Sequence, residues 1–258
     1  MSADFLRLAV VGDPIGHSAS PRLHRGFLAA AGRAGSYEAI RVAAGDGAHA
    51  FATLFARGYR GLNVTTPLKE EAWAAAVRRD GAALASGAVN TLLFDDEPVG
   101  ANTDGIGALA ALAAAGLATP AGRRVGILGT GPTARATTHA LLAAGATVLL
   151  GGRELIGSGR LARLLGAAVW DGTPVNAVFS TLPPGAEPAA RLTRAVRAAE
   201  LVVDANYGDR ATLGALLGRS DVADGAVMLA ASAAASFTLF SAPGAALRRG
   251  GDSNSRDL

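Results

Sequence analysis

The stretch ILGTGPTARATTHALLAAGATVLLGGRE, residues 127–154, decides the fold. Gly129, Gly131 and Ala134 form G-x-G-x-x-A directly after an apolar run and directly before a helical pattern. Small residues there let the backbone approach a pyrophosphate at a helix N-terminus, where unpaired N–H groups and the helix dipole favour an anion. Pro132 suits an early helical position, whose N–H has no helical partner in any case. The candidate dinucleotide cradle is therefore Gly129, Thr130, Gly131, Pro132, Thr133 and Ala134. The pattern gains its weight from the strand-turn-helix-strand setting, because a chain with 34 glycines will match it by chance elsewhere. The second strand of the unit ends in Gly151-Gly152-Arg153-Glu154. An acid at this place holds a ribose 2′-hydroxyl, and an arginine accommodates a 2′-phosphate. Arg153 favours NADP; Glu154 leaves NAD open.

Working outward, further strands are expected at about 146–151, 175–180 and 201–204, separated by helical stretches, which calls for a parallel sheet. The first hundred residues alternate in the same way. LRLAVVG is a strand, and Ser20-Pro21 opens a helix. SYEAIRV is a strand, residues 46–57 a helix, and GLNV a strand. Thr66 is the expected N-cap of the next helix, with Pro67 at its first position. AVNTLLF and PVGANTD form a hairpin across an acidic turn. Residues 105–118 are a helix, and a last helix runs from about Met228 to Phe240. The class is α/β, with two domains joined near residues 104–122.

Composition narrows the function. Half of the 258 residues are hydrophobic and 17% are charged, which excludes a disordered chain. The arginines are scattered with no basic block, so nucleic-acid binding is not suggested. There are no cysteines, hence no disulfide, thiolate metal site or cysteine nucleophile, and the chain fits a reducing cytoplasm. No histidine pair has metal-ligand spacing. Residues 225–247 carry no charge but are rich in alanine and hydroxyl residues, as in a buried helix rather than a membrane span.

Of the 24 basic residues only one, Lys69 in NVTTPLKE, is lysine. The expected cap places it at the third helical position, where a cation opposes the helix dipole by about 0.3–1 kcal/mol. A capping box would put Glu or Gln there. Lysine, unlike arginine, can give up its proton near neutral pH. Other polar candidates are Ser18 and Ser20, whose hydroxyls precede a helix, Asn90 inside an apolar strand, and Asp104 at the end of ANTDG. Each also has a plain reading as a cap, turn or strand-end residue.

The succession VVGDPIGHSASPRLH, NVTTPLKE, GAVNTL, GANTDGIG and LGTGPTAR resembles the shikimate dehydrogenase family, whose members reduce 3-dehydroshikimate to shikimate with NADPH. The resemblance runs from about residue 6 to 154 and more thinly to about 240. It implies an N-terminal α/β substrate domain, a Rossmann-type NAD(P)-binding domain and a C-terminal helix returning to the first. The boundaries are then 1–104 with about 229–258, and about 105–228. It also implies roles. Ser18 and Ser20 match the hydroxyls for the substrate carboxylate, and Thr65, Asn90 and Asp104 the contacts to ring hydroxyls. Lys69 matches the catalytic lysine and Asp104 its partner. Gly129, Gly131 and Ala134 match the glycine turn, Arg153 the 2′-phosphate arginine, and Tyr207 a tyrosine near the active site. The implied partner is a small cyclohexene carboxylate, with no nucleic acid and no membrane, acting on a monomer or homodimer. Four places depart from the family. Gly157 replaces a second basic residue beyond Arg153. Ala211-Thr212-Leu213 replaces Thr-Pro-Leu. Ser232 stands where the last helix presents a glutamine to the substrate, and Val227 where a glycine approaches the nicotinamide. These leave open a quinate- or aminoshikimate-type dehydrogenase, or a binding relative with weak catalysis.

Overall fold

The computed structural model describes residues 5–242. The chain divides into two units, Met1–Thr103 with Ala233–Leu258, and Asp104–Ser232.

In the first unit the chain runs β1 (Leu6–Gly12), α1 (Ser20–Ala30), β2 (Gly35–Arg41), α2 (Gly47–Ala56), β3 (Gly61–Val64), α3 (Lys69–Ala75), β4 (Arg78–Arg79), α4 (Gly81–Ser86), β5 (Thr91–Phe94) and β6 (Pro98–Ala101). The sheet order is β2-β1-β3-β5-β6-β4. β1 is parallel to β2 and β3, and β5 is antiparallel to β3 and β6. β1 lies inside the sheet with both faces covered, which is why LRLAVVG is an unbroken apolar run apart from Arg7. Phe51, Leu54, Tyr59, Leu62 and Leu68 share one core cluster; Leu6, Leu8, Val10, Leu28 and Phe240 share another. Phe240 comes from the C-terminal helix. A Cβ at Gly61 would run into its ring, so β3 admits that helix only because residue 61 is glycine.

The second unit runs α5 (Asp104–Ala114), β7 (Arg124–Leu128), α6 (Pro132–Ala143), β8 (Thr147–Gly151), α7 (Leu155–Leu165), β9 (Ala168–Val169), β10 (Ala177–Ser180), α8 (Ala190–Ala198), β11 (Leu201–Asp204) and α9 (Leu213–Leu217). α10 (Ala226–Ser241) starts here and ends in the first unit. The strand order is β11-β10-β7-β8-β9, all parallel, with the order reversing at β7. Gly126 in β7 leaves room for the ring of Trp170, which is fully buried and donates its indole N–H to the Thr173 carbonyl at 2.8 Å.

The elements differ from the sequence reading in places. β4, α4, β9 and α9 are additional. α5 begins at Asp104 and stops at Ala114. α3 starts at Lys69, with Leu68 and not Thr66 at the N-cap. The Thr66 carbonyl is engaged by the Asp13 N–H at 3.0 Å, so residues 65–68 form a turn tied to the end of β1 and no helical position is left for Pro67. Among the described residues no helix is long and apolar enough to cross a membrane; positions 243–247 of the uncharged run lie outside them.

Candidate functional site

In the first unit the candidate residues gather at one end of the sheet. β1 and β3 are parallel and finish there, and β5 begins there. The Thr65 N–H donates to the Val11 carbonyl at 3.0 Å. A Cβ at Gly12 would strike the Thr65 methyl and the Thr66 carbonyl, so glycine lets these two loops close on each other. The Val64 N–H donates to the Asn90 carbonyl at 2.8 Å, and the Val89 N–H to the Lys69 carbonyl at 2.9 Å. Backbone pairing alone thus sets Thr65, Lys69 and Asn90 side by side.

Lys69 is the first residue of α3 and is buried, 8% exposed. Removing a charge from water to that extent needs compensation. Its helix is held by a neighbour: Glu71 accepts from the N–H groups of Gly45 at 2.9 Å and Gly47 at 2.8 Å, capping α2 from outside. Asp46, at the N-cap of α2, makes no side-chain cap. Asn90 is buried, and its Oδ1 accepts from the Thr103 N–H at 2.9 Å and the Thr91 hydroxyl at 2.9 Å. Asn102 likewise donates to the Ala88 carbonyl at 2.9 Å. These bonds clamp the hairpin ends around Asn90.

Ser20 is buried as the first residue of α1, with Ala19 at the N-cap, and the half-buried Ser18 Oγ accepts from the Ser20 N–H at 3.3 Å. So Ser18, and not Ser20, meets the helix start. Tyr37, buried on β2, donates its hydroxyl to Asn63 Oδ1 at 2.7 Å. Burial pushes the Tyr37 hydroxyl well above its usual range, against a smaller lowering from a hydrogen bond with Ser20. Tyr37 therefore links α1 to β3. The sequence reading passed over Asn63 and Tyr37. For Asn63 the available signal was the one used for Asn90, an amide interrupting an apolar strand.

In the second unit Asp104 is buried as the first residue of α5 and accepts from the Thr133 hydroxyl at 3.0 Å. Its helix position favours an anion. Gly129 has φ +112°, and a Cβ there would press on the Thr181 hydroxyl, so glycine is required twice over. Gly131 is the N-cap of α6 without a side-chain cap, and a Cβ on it would meet nothing within 4 Å. Ala134 is fully buried against the sheet. The turn opens on a cavity of about 710 Å³ that Gly129, Thr130, Gly131, Arg153 and Glu154 help to line. The uncapped helix start, the open space at Gly131 and an exposed arginine in one cavity fit a phosphate-bearing dinucleotide.

Tyr207 is half-buried just past β11, and Val227 is exposed at the start of α10. The Gly225 N–H donates to the Asn206 carbonyl at 2.8 Å, so these two candidates share a corner. Ser232 lies where α10 packs on α5; Gly107, lacking a Cβ, permits that approach. Among the described residues no cluster of His, Asp or Glu could hold a metal ion.

Residues 10–92 match the shikimate dehydrogenase substrate binding domain. The chain is 44% identical over 137 residues to the NADP(+) shikimate dehydrogenase of Alkalilimnicola ehrlichii, which is 53% of this chain and 51% of that one. It is 39% identical over 199 residues to the enzyme of the same name from Moorella thermoacetica, 76% of this chain and 64% of that one. The chain thus spans between half and two thirds of these curated relatives. The shikimate 5-dehydrogenase of Thermus thermophilus, solved with shikimate, is 30% identical, superposes with a TM-score of 0.77, and shares 91% of this chain and 92% of its own. The same enzyme has been solved with NADP(H) and shikimate together. A polar sheet end around a buried lysine, a glycine turn on a parallel sheet and a full-length likeness at this identity lead to one statement: the chain belongs to the shikimate dehydrogenase family.

Proposed function

We propose that the protein interconverts 3-dehydroshikimate and shikimate with NADP, using Lys69 as the proton donor and acceptor. The observation that carries this reading is the only lysine of the chain, buried at a helix start beside Thr65 and Asn90. Residues 10–92 match the shikimate dehydrogenase substrate binding domain, and similar proteins are named shikimate dehydrogenase (NADP(+)).

Reduction of a ring ketone needs a hydride on carbon and a proton on oxygen. NADPH, when bound, supplies the hydride. Lys69 gives its ammonium proton to the developing alkoxide and takes it back in the reverse direction. Ser18 and Ser20 hold the substrate carboxylate by their hydroxyls. Thr65, Asn63 and Asn90 direct the ring hydroxyls, and Asp104 is the second catalytic group. Gly129 to Ala134 receive the pyrophosphate, Arg153 pairs with the 2′-phosphate, and Tyr207 and Val227 border the reacting end. The lack of cysteine suits a cytoplasmic enzyme.

One observation favours a second reading of the substrate. Ser232 offers one short hydroxyl where a glutamine would bring two donors and an acceptor. A ring with a bulkier substituent, as in quinate or an amino-substituted relative, gains room at that place. The test is reduction of NADP+ and NAD+ by purified protein with shikimate and quinate side by side. The expected result is fastest turnover with NADP+ and shikimate. Turnover with neither substrate overturns the proposal, and faster turnover with quinate transfers it to the second substrate.

A further inference from the structure

Arg191, on α8, belongs to none of the sequence motifs that point to the cofactor or the substrate. Its Nη2 donates to the Gly152 carbonyl at 2.6 Å and its Nη1 to the Arg153 carbonyl at 3.1 Å. Its Nε is buried without a hydrogen-bond partner. Those two carbonyls belong to the turn that ends β8 and carries Arg153 to the cavity. The Arg153 side chain is exposed and makes no hydrogen bond or ion pair among the described residues. A planar guanidinium can span two successive carbonyls, which a lysine ammonium does only as a point charge.

The charges of the cavity lead to the same residue. Its ionisable lining is Arg153, Glu154 and Glu187, one cation against two anions. A 2′-phosphate adds about two negative charges to such a surface. Gly157, in the first turn of α7, lines the cavity without a charge. Arg191 is bound only to carbonyls, and no carboxylate among the described residues pairs with it. Its charge is left to act on the turn.

We propose that Arg191 is a positioning and specificity residue for the 2′-phosphate. It fixes the turn that carries Arg153 and supplies from α8 a second positive charge that α7 does not offer at Gly157. This rests on the NADP reading above.

The test is calorimetric titration of NADP+ and NAD+ into wild type, Arg153→Ala, Arg191→Met and Arg191→Lys at low salt, with a thermal melt of each. Wild type should bind NADP+ more tightly than NAD+. Arg191→Met should lose about three- to tenfold in NADP+ affinity and less than about twofold for NAD+. Arg191→Lys, which keeps the charge and loses the fork, should fall between them. Equal losses for both cofactors make Arg191 a structural clamp and overturn the proposal. So does a loss of NADP+ affinity at Arg153→Ala with none at either Arg191 variant, which leaves the NADP reading intact. Equal binding of the two cofactors by wild type removes both. If Arg191→Met does not fold, Arg191→Lys alone decides: a loss confined to NADP+ supports the proposal, and equal or no losses overturn it.

Discussion

Among the described residues two helices begin with a buried charged residue, α3 with Lys69 and α5 with Asp104. Asp104 suits its place, since a carboxylate at a helix N-terminus is favoured by about 0.3–1 kcal/mol. Lys69 is opposed there by a similar amount, and its two neighbours Glu70 and Glu71 are the acids that position would choose. The difference teaches how far local physics explains a residue. Asp104 would be chosen for its helix alone, so its proposed catalytic role is hidden behind a structural one. Lys69 has no such cover, and that is why it stands out in the sequence.

The largest effect that sharpens the contrast is on turnover. Lys69→Met should lower kcat by about 10²–10⁴-fold, the usual share of a general acid-base group. Asp104→Asn should lower kcat too, and in addition lower the melting temperature through loss of the helix-start charge, which also leaves the Thr133 hydroxyl a neutral and weaker acceptor. A Lys69→Met protein with near-normal kcat would erase the difference between the two helix starts.

A second misplaced group tests whether misfit alone marks function. His24 is fully buried on α1, stacked on Tyr37 with ring centroids 4.2 Å apart, and neither ring nitrogen has a hydrogen-bond partner. Burial lowers its pKa from 6.5 to about 3. The unfolded chain therefore takes up the proton first as pH falls. Stability should be level above about pH 6.5 and fall progressively towards pH 3, by on the order of 3–5 kcal/mol if the fold survives. Denaturant titrations at pH 7, 5 and 4 measure this, and His24→Phe should flatten the profile while leaving kcat at pH 7 within about twofold. A large loss of kcat in His24→Phe would mean that this misfit, too, is functional.

How much of this was legible beforehand follows from the range of each signal. The glycine turn was readable because strand, turn and helix all lie within 28 residues. The β5–β6 hairpin was readable for the same reason. The start of α3 was not, because the bond that takes the Thr66 carbonyl comes from Asp13, far back in the chain. Two-residue strands such as Arg78–Arg79 carry no periodicity, so β4 leaves no local mark. Glu71 capping α2, Tyr37 bridging to Asn63 and Arg191 holding the β8 turn are contacts between distant segments, and nothing adjacent in sequence announces them.

A smaller effect bears on the substrate end of α10. Ser232→Gln should lower the KM for shikimate about three- to tenfold, one added hydrogen bond being worth about 0.5–1.5 kcal/mol. A higher KM would place the missing amide elsewhere and remove the argument for a wider substrate range.

The most direct test of the account is kcat of Lys69→Arg over a pH series, set beside its KM for shikimate. Arginine keeps the positive charge at the start of α3 and so preserves everything that is merely electrostatic there, but it cannot release a proton. The account requires a fall of about 10²–10⁴-fold in kcat with KM within about threefold. A Lys69→Arg enzyme that keeps its turnover, with the pH profile of wild type, would contradict proton transfer by Lys69 and reduce the lysine to a charge that grips the substrate.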